Sequence, residues 1–279
     1  MRFAIDWERG EEVKQRKFAQ DIMNLSSDKM LIFDAFGDAG SKGASIDFLP
    51  SYAEEIYIGP SILEEFTILE NVLLNGYNSL IFGGEKLDKI QFLQKLIEIM
   101  KPGGFVLVGS GPSYAFEHEY RSWLSEINNE EEKMVTAVDY RHPEITPPFD
   151  IGDGTIEKFI KKLDSLNDGD SVLYNGTMGI MEDDYESLIK NFSEENAKLI
   201  SSGIFQKGTE AIVEKLKELT RRGVKIIIIG GDAGMAAKKY SLKKEENVIE
   251  FSGGGVPIKV YAGELLRGLR AIHERLGEI

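Results

Sequence analysis

The chain has no cysteine among its 279 residues, and other features that mark particular protein classes are also missing. Without cysteine there are no disulfides, no thiolate catalysis and no sulfur-ligated metal sites. The three histidines, His118, His142 and His273, are far apart, and their spacing is not that of a zinc site. No G-x-x-x-x-G-K-[ST] motif occurs, so a P-loop is excluded. Because no apolar run reaches bilayer length and the first residues do not form a signal peptide, we expect a soluble, cytoplasmic protein.

Positive charge is scarce as well, with 33 Lys and Arg against 47 Asp and Glu and a formal net charge of −14. Nucleic acids and anionic membranes are bound by basic surfaces, so neither is expected as a partner. An anionic substrate would have to be held locally, by lysines, by helix N-termini or by a metal ion.

Short apolar segments alternate with amphipathic segments along most of the chain. The sequence predicts strands at 79–82, 105–108, 134–138, 171–174, 224–229 and 247–251. It predicts helices at 86–100, 113–127, 155–166, 207–222 and 233–240. This alternation is typical of an α/β fold with a doubly wound, mostly parallel six-stranded sheet.

The first fifty residues have a different pattern, with a charged helix predicted at 10–25 and a short strand at 30–33. Fifty residues are too few for an independent α/β domain, so we expect residues 1–50 to form a small α/β appendage. Residues 51–262 would form a Rossmann-like domain, entered through a helix-like connector at 50–74 that Pro60 breaks or kinks. The last helix, within residues 263–279, would pack back on the N-terminal segment.

Two glycine turns near the end of the chain are the first indication of function. Four isoleucines lead into Gly230-Gly231-Asp232-Ala233-Gly234, and Ser252-Gly253-Gly254-Gly255 follows after about twenty residues. A glycine turn that opens a helix leaves free N–H groups at a positively polarised helix end, which suits a phosphate. Asp232 is placed for a magnesium ion on the same phosphates. Either turn alone could be ordinary strand-to-helix punctuation, but the pair favours a nucleotide phosphate site.

Further glycine-containing segments follow other predicted strands, and each is a weak signal by itself. Gly109-Ser110-Gly111, for example, lacks the third glycine of a dinucleotide fingerprint. Their joint order is more specific. The ordered segments are Asp34-Ala35-Phe36-Gly37, Gly83-Gly84-Glu85-Lys86-x-x-Lys89, Asp150-Ile151-Gly152, Tyr174-Asn175-Gly176-x-x-Gly179-Ile180-x-Glu182, Phe205-x-Lys207-Gly208-Thr209, Gly230-Gly231-Asp232 and Ser252-Gly253-Gly254-Gly255. In this order, from Arg2 nearly to the end of the chain, the sequence resembles the phosphoglycerate kinase family.

The resemblance implies Mg-ATP or Mg-ADP as the cofactor and assigns roles to individual residues. Lys86 and the Gly253, Gly254 and Gly255 turn would act on the transferred phosphoryl group. The nucleotide would contact Gly84, Lys86, Lys89, Gly109, Gly111, Phe149, Asn175, Ile180, Glu182, Gly231 and Asp232. Within this set Glu182 would bind the ribose and Asp232 the magnesium ion. Arg2 and Lys42 would be a weak substrate-binding pair.

The sequence also departs from the family pattern. The chain begins past the family's main substrate-binding motif, so residues 1–50 would be a remnant of the substrate-side domain. Glu85 replaces a small residue near the phosphates, Ala233 replaces a hydroxyl residue after Asp232, and Thr177 replaces the proline of an Asn-Gly-Pro turn. These changes suggest altered or weakened nucleotide binding.

Three hypotheses about function therefore stay open. In the first hypothesis, the chain is a phosphotransferase with an unknown carboxylate or phosphorylated-acid acceptor, and 3-phosphoglycerate kinase activity is not expected of it alone. In the second hypothesis, it is a non-catalytic regulatory or scaffold relative with a degraded nucleotide site. In the third hypothesis, a partner chain or a second copy supplies the missing domain.

Overall fold

The computed structural model describes residues 30–33, 53–58, 60–84, 90–128, 132–182, 184–251 and 256–261. The chain divides into two units. One takes its residues from Met1–Leu74 and Phe251–Ile279, and the other is Asn75–Glu250. This division differs from the predicted domains, which place residues 51–74 with the main sheet.

In the first unit, β1 (Met30–Phe33) and β2 (Glu55–Ile58) form a two-stranded parallel sheet. Helix α1 (Pro60–Asn75) follows β2. The prediction of a helix-like connector at 50–74 is therefore wrong at its start, because 55–58 is a strand paired with β1. Pro60 does not break a helix but begins one, at a position where its missing N–H removes no helical hydrogen bond. The predicted helices at 10–25 and 263–276 lie outside the described residues.

The second unit alternates strands and helices, and α10 (Val256–Tyr261) follows it in the first unit. Its strands are β3 (Tyr77–Phe82), β4 (Met100–Val108), β5 (Met134–Val135), β6 (Ser171–Asn175), β7 (Lys225–Ile229) and β8 (Val248–Glu250). Its helices are α2 (Ile90–Glu98), α3 (Ser110–His118), α4 (Arg121–Ile127), α5 (Asp153–Leu163), α6 (Tyr185–Leu188), α7 (Glu194–Ser201), α8 (Lys207–Arg221) and α9 (Gly231–Lys239).

The six strands form one sheet in the order β5-β4-β3-β6-β7-β8, and each pairing between these strands is parallel. The predicted doubly wound parallel α/β fold is confirmed. The chain builds outward from β3 to β5 on one side, then returns to place β6 on the other side of β3. The strand order thus reverses between β3 and β6. In open α/β sheets ligands bind in the crevice at the carboxyl ends of such a pair of strands.

Two predicted elements differ in detail. The predicted helix at 113–127 is two helices, because the N–H groups of Glu119 and Tyr120 both donate to the Ala115 carbonyl and interrupt the ladder. The predicted strand at 134–138 ends at Val135. Beyond it, the N–H groups of Val138 and Asp139 donate to Thr155 Oγ1 at 2.9 and 3.1 Å instead of to another strand.

Strand β7 shows why the sheet is stable. Its four isoleucines are all buried, as expected for a parallel strand with helices over both faces of the sheet. One core cluster combines residues of β3, β4, β6 and β7 with Phe159 and Leu163 of α5, Leu216 of α8 and Ala236 of α9. In the described part of the chain, no helix is long and apolar enough to cross a membrane.

Candidate functional site

The site is built on two backbone turns, which follow β3 and β6 and are hydrogen-bonded to each other. The Gly83 N–H donates to the Asn175 carbonyl at 2.8 Å, and the Gly84 N–H donates to the Thr177 carbonyl at 2.9 Å. Gly176 has a φ of +84°, and a Cβ there would collide with the Gly83 carbonyl. Glycine is therefore required at Gly176 both for its backbone conformation and for the close approach of the two turns.

The turn after β4 adjoins this pair. The Gly109 N–H donates to the Phe82 carbonyl at 2.8 Å, and the Ser110 N–H donates to the Met178 carbonyl at 3.0 Å. A Cβ on Gly109 would lie 3.1 Å from the Gly83 Cα and 3.3 Å from the Met178 Cα, closer than most Cβ contacts in proteins. The structure thus brings the predicted residue Gly109 directly against the β3 and β6 turns. Gly111 follows within the first turn of α3 and is half-buried.

Helix α9 begins at the same edge of the sheet. Gly230 has a φ of +96°, and the amide of Asn175 donates from Nδ2 to the Ile229 carbonyl at 2.7 Å, so β6 holds the end of β7. Gly231 is exposed, and a Cβ built there would meet nothing within 4 Å. The predicted residues Asn175 and Gly231 are therefore neighbours in the structure, with open space over the start of the helix.

Asp232 lies in the first turn of α9, and its side chain is exposed. A Cβ on Gly84 would lie 3.7 Å from Asp232 Oδ2, which shows that the carboxylate stands close to the turn after β3. A hard carboxylate oxygen beside a polarised helix end suits Mg²⁺, which keeps most of its waters and takes one or two protein carboxylates plus phosphate oxygens. Within the described ranges, no group of three or more His, Asp or Glu side chains is placed to hold a metal ion. The residues therefore fit a magnesium ion that arrives with a phosphate ligand.

The start of α9 has no side-chain cap. Ala233, at the position after Asp232, is buried in the core cluster, and its methyl group can neither donate to a ligand nor accept from a free N–H group. The N–H groups of the first helical turn have no partner inside their own helix, so a bound anion is the natural acceptor for them.

Phe149 and Ile180, two of the residues predicted to contact the nucleotide, lie in the segments after β5 and β6. The Ile180 N–H donates to the Phe149 carbonyl at 2.9 Å, which joins the two segments. The Phe149 ring is buried and packs edge-on against Phe192 and Phe205, each with a ring-centroid distance of 5.3 Å. Ile180 is half-buried beside this cluster. Phe149 therefore has a packing role whether or not a base is bound.

Glu182, predicted as the ribose ligand, is exposed and its Oε1 accepts the Asp184 N–H at 2.9 Å. Thr177, which replaces a proline in the resemblance, is buried, and its hydroxyl donates to the Gly179 carbonyl at 2.7 Å. This bond stiffens the turn locally, as a proline ring would.

Asp150 is a residue to which the sequence analysis assigned no individual role. It is fully buried, and its Oδ1 and Oδ2 accept the N–H groups of Ile151 and Gly208, each at 2.9 Å. Burial raises the pKa of this carboxyl to about 7, although both N–H bonds and the nearby Arg141 act in the opposite direction. The signal in the sequence is an aspartate between two apolar residues, Phe149 and Ile151, with a glycine at position 152, but that pattern is common in exposed turns.

Several predicted site residues lie outside the described residues. They are Arg2, Lys42, Glu85, Lys86, Lys89, Gly253, Gly254 and Gly255.

The fold and the glycine turns that converge at its switch point define the structural class of the protein. It is a doubly wound parallel α/β protein with a candidate anion site at the carboxyl edge of its sheet. Comparison with known proteins narrows the class. The family model for phosphoglycerate kinase matches residues 2–140. Phosphoglycerate kinase of Akkermansia muciniphila is 27% identical over an alignment 307 residues long. The alignment covers 95% of this chain and 69% of that protein. The cytosolic phosphoglycerate kinase of Nicotiana tabacum is 25% identical, over 95% of this chain and 68% of the tobacco protein.

A solved structure agrees in fold. The phosphoglycerate kinase of Coxiella burnetii superimposes with a TM-score of 0.66 at 19% identity, covering 97% of this chain and 72% of that one. The chain belongs to the phosphoglycerate kinase family. The resemblance drawn from the ordered glycine segments is confirmed.

Proposed function

We propose that the chain binds a magnesium–adenine nucleotide at the β3/β6 switch point and transfers a phosphoryl group between it and a carboxyl-bearing acceptor. The observation that carries the proposal is the convergence of three glycine turns, with Asp232 standing next to Gly84. Family membership supports it, because the relatives are named phosphoglycerate kinase.

The proposed phosphate site combines backbone and side-chain charge. The first-turn N–H groups of α9 and the lysines Lys86 and Lys89 would neutralise the phosphates, while Asn175 holds the turn beside them. Magnesium, held through Asp232, would supply further charge neutralisation between phosphate oxygens. Phosphoryl transfer requires little covalent work from a protein beyond such positioning and charge stabilisation. The Gly253, Gly254 and Gly255 turn is proposed to face the transferred group.

The base and ribose would lie further along the same edge. The adenine would be flanked by Gly109, Gly111, Phe149 and Ile180. The exposed carboxylate of Glu182 would accept hydrogen bonds from the ribose hydroxyls. The hydrogen bond between Ile180 and Phe149 supports this arrangement because it keeps the two flanking segments at a fixed distance.

The acceptor is proposed to be a carboxylate or a phosphorylated acid, met by Arg2 and Lys42. The net charge of −14 opposes any anionic acceptor, so these local cations would have to outweigh it. Because the relatives are named phosphoglycerate kinase, 3-phosphoglycerate is the first acceptor to assay, in the isolated chain and with added candidate partners.

A non-catalytic relative is the second candidate, and one observation favours it. Ala233 stands where the resemblance implies a hydroxyl residue, and its buried methyl group cannot supply that residue's contact to a phosphate. A site of this kind would bind nucleotide weakly and would turn over no acceptor.

Calorimetric titration with Mg-ADP and Mg-ATP tests the binding half of the proposal. We expect saturable binding that Lys86→Ala and Asp232→Ala each weaken by at least about ten-fold, the loss typical of one charge-assisted contact. The matched controls are Lys225→Ala and Asp168→Ala, which remove exposed charges at the amino ends of β7 and β6. No binding at millimolar nucleotide would contradict the proposal.

A turnover assay separates the two candidates. A phosphotransferase produces ADP from Mg-ATP only when an acceptor such as 3-phosphoglycerate is present. Asp232→Ala should abolish this acceptor-dependent production of ADP. Binding without any acceptor-dependent turnover would select the non-catalytic relative.

A further inference from the structure

Asp150 is a fully buried carboxyl group in the segment after β5, directly after Phe149. Its Oδ1 accepts the N–H of Ile151, in its own segment, and its Oδ2 accepts the N–H of Gly208, at the start of α8. Arg141 Nε lies 3.7 Å from Oδ2, so a cation from the segment after β5 also faces the carboxylate. Two stretches of chain that are distant in sequence, the segment after β5 and the start of α8, therefore meet on one side chain.

Two glycines leave the space that the Asp150 carboxylate occupies. A Cβ at Gly179 or at Gly208 would collide with Asp150 Oδ1. Gly179 belongs to the segment after β6, so that segment also packs directly on the carboxylate. The close fit means that Asp150 fixes where the 178–180 segment lies relative to residue 149 and to α8.

Phe149 and Ile180 are the immediate chain neighbours of these contacts. Phe149 precedes Asp150, Ile180 follows Gly179, and the two residues are joined by the 2.9 Å hydrogen bond from the Ile180 N–H to the Phe149 carbonyl. Phe205, on the other side of the Phe149 ring, is three residues before Gly208. Any shift of the Asp150 carboxylate would therefore move both Phe149 and Ile180, the residues proposed to flank the base.

We propose that Asp150 is the positioning residue of the base-binding wall, which Phe149 and Ile180 form. Its ionised form holds these two residues in the geometry that accepts adenine. This inference rests on the proposed nucleotide function. The Asp150 carboxylate contacts Ile151, Gly208 and Arg141, none of which is proposed to hold the phosphates or the metal ion, so it is proposed to act on the base and not on the transferred group.

The electrostatic setting makes this role sensitive to pH. Burial raises the pKa of Asp150 to about 7, against the lowering effect of the Gly208 and Ile151 N–H groups and of Arg141. Protonation converts one acceptor oxygen into a donor, so one of the two N–H groups would face an O–H and lose its bond. The charged groups facing this position are Arg141 and, across the same guanidinium at 2.5 Å, Asp153 of α5. Lys207 of α8 adjoins Gly208 but is exposed, and the 178–180 segment carries no charge.

The first test compares a nucleotide with a ligand that has no base. Asp150→Asn should weaken Mg-ADP binding by about ten-fold, the effect of one lost hydrogen bond to a charged group, and should leave Mg-tripolyphosphate binding unchanged. Asp153→Asn is the matched control, since this exposed carboxylate contacts the same arginine, and it should bind both ligands as the wild type does. Equal loss of both ligands in Asp150→Asn, or no loss of either, would overturn the inference.

The second test uses pH. Wild-type affinity for Mg-ADP should fall as the pH drops through about 7, and Asp150→Asn should lack this dependence. Arg141→Met removes the neighbouring cation, so the pH at which affinity falls should rise. His142 also lies near this wall, with its ring 5.5 Å from that of Phe205, and it is retained in each variant. A pH profile that persists in Asp150→Asn would therefore contradict the role of Asp150.

The third test does not depend on nucleotide. Hydrogen–deuterium exchange of the ligand-free protein at a fixed pH of about 8 should show faster exchange in Asp150→Asn for the peptides that contain Ile151 and Gly208. If exchange is unchanged, the positioning role is wrong even where the wild type binds ADP. If exchange changes but the wild type binds no ADP, the proposed function fails and the base-binding role fails with it, while the structural link stands. If Asp150→Asn does not fold, the upward shift in Arg141→Met decides the inference.

Discussion

Asp139 illustrates how much structure one exposed carboxylate can hold. Its two oxygens accept the N–H groups of Gly154 and Thr155 at 3.0 and 2.7 Å, and Oδ1 also accepts the Thr155 hydroxyl at 2.6 Å. It therefore caps the start of α5 from a separate segment. Burial tends to raise the pKa of Asp139, but these hydrogen bonds and Arg141 outweigh it, so the pKa is lowered overall.

The first prediction follows from that cap. Asp139→Ala should lower the free energy of unfolding by about 1–2 kcal/mol, as the loss of a helix cap does. Because the folded pKa is lowered, the contribution is present above the unfolded pKa of about 4 and disappears as the pH falls through the folded value. Urea denaturation at neutral and acid pH measures it. Ser193→Ala, which removes a single 3.3 Å cap bond from α7, is the control and should cost less.

The second prediction concerns the stability effect of Asp150. Its folded pKa is raised from 3.8 to about 7, so its contribution is greatest below about 3.8 and is lost as the pH rises to about 7. Asp150→Asn stays neutral throughout. The unfolding free energy of the wild type, relative to that of Asp150→Asn, should therefore fall between those two pH values and stay level above them. A relative stability that instead increases with pH would mean that ionisation of Asp150 stabilises the fold.

At the scale of elements, the turns after β3 and β6 depend on glycine for a reason that the φ angle alone does not give. Gly176 and Gly169 have nearly the same φ, +84° and +81°. A Cβ on Gly169 would meet nothing within 4 Å, whereas a Cβ on Gly176 would collide with the Gly83 carbonyl. The two positions therefore separate the cost of a left-handed backbone from the cost of a collision.

The third prediction uses this pair. Gly169→Ala should cost about 1–2 kcal/mol of unfolding free energy, the ordinary penalty for a side chain at positive φ. Gly176→Ala should cost at least about 2 kcal/mol more, because the turn after β3 must also move. Thermal or urea unfolding measures both variants. Equal costs would show that the two turns do not pack as closely as the structure indicates.

The same elements show what the sequence could and could not reveal. The isoleucines of β7 predicted a strand buried on both faces, and the glycines after β3, β6 and β7 predicted turns at one edge, because these signals are local. Strand β2 was missed because its apolar residues ran into a helical pattern beyond Pro60, and its partner β1 lies more than twenty residues earlier. Asp150 was not recognised as important because its contacts come from residues 141, 179 and 208, which only the fold brings together.

At the scale of the whole molecule, the family relationship extends over 95% of the chain, while this chain spans 69% of the Akkermansia muciniphila relative. The six-stranded sheet and its switch point lie within Asn75–Glu250. We therefore propose that this unit binds the nucleotide. We propose from the sequence alone that the choice of acceptor depends on residues such as Arg2 and Lys42.

The most direct test of the central claim is a map of where Mg-ADP protects the protein from hydrogen–deuterium exchange. We predict slower exchange in peptides that contain Gly84, Thr177 and Asp232, at the carboxyl ends of β3, β6 and β7. Peptides that contain Asp168 and Lys225, at the amino ends of β6 and β7, should exchange at the same rate with and without nucleotide. Protection confined to the amino ends of the strands, or no protection anywhere at saturating Mg-ADP, would contradict the account.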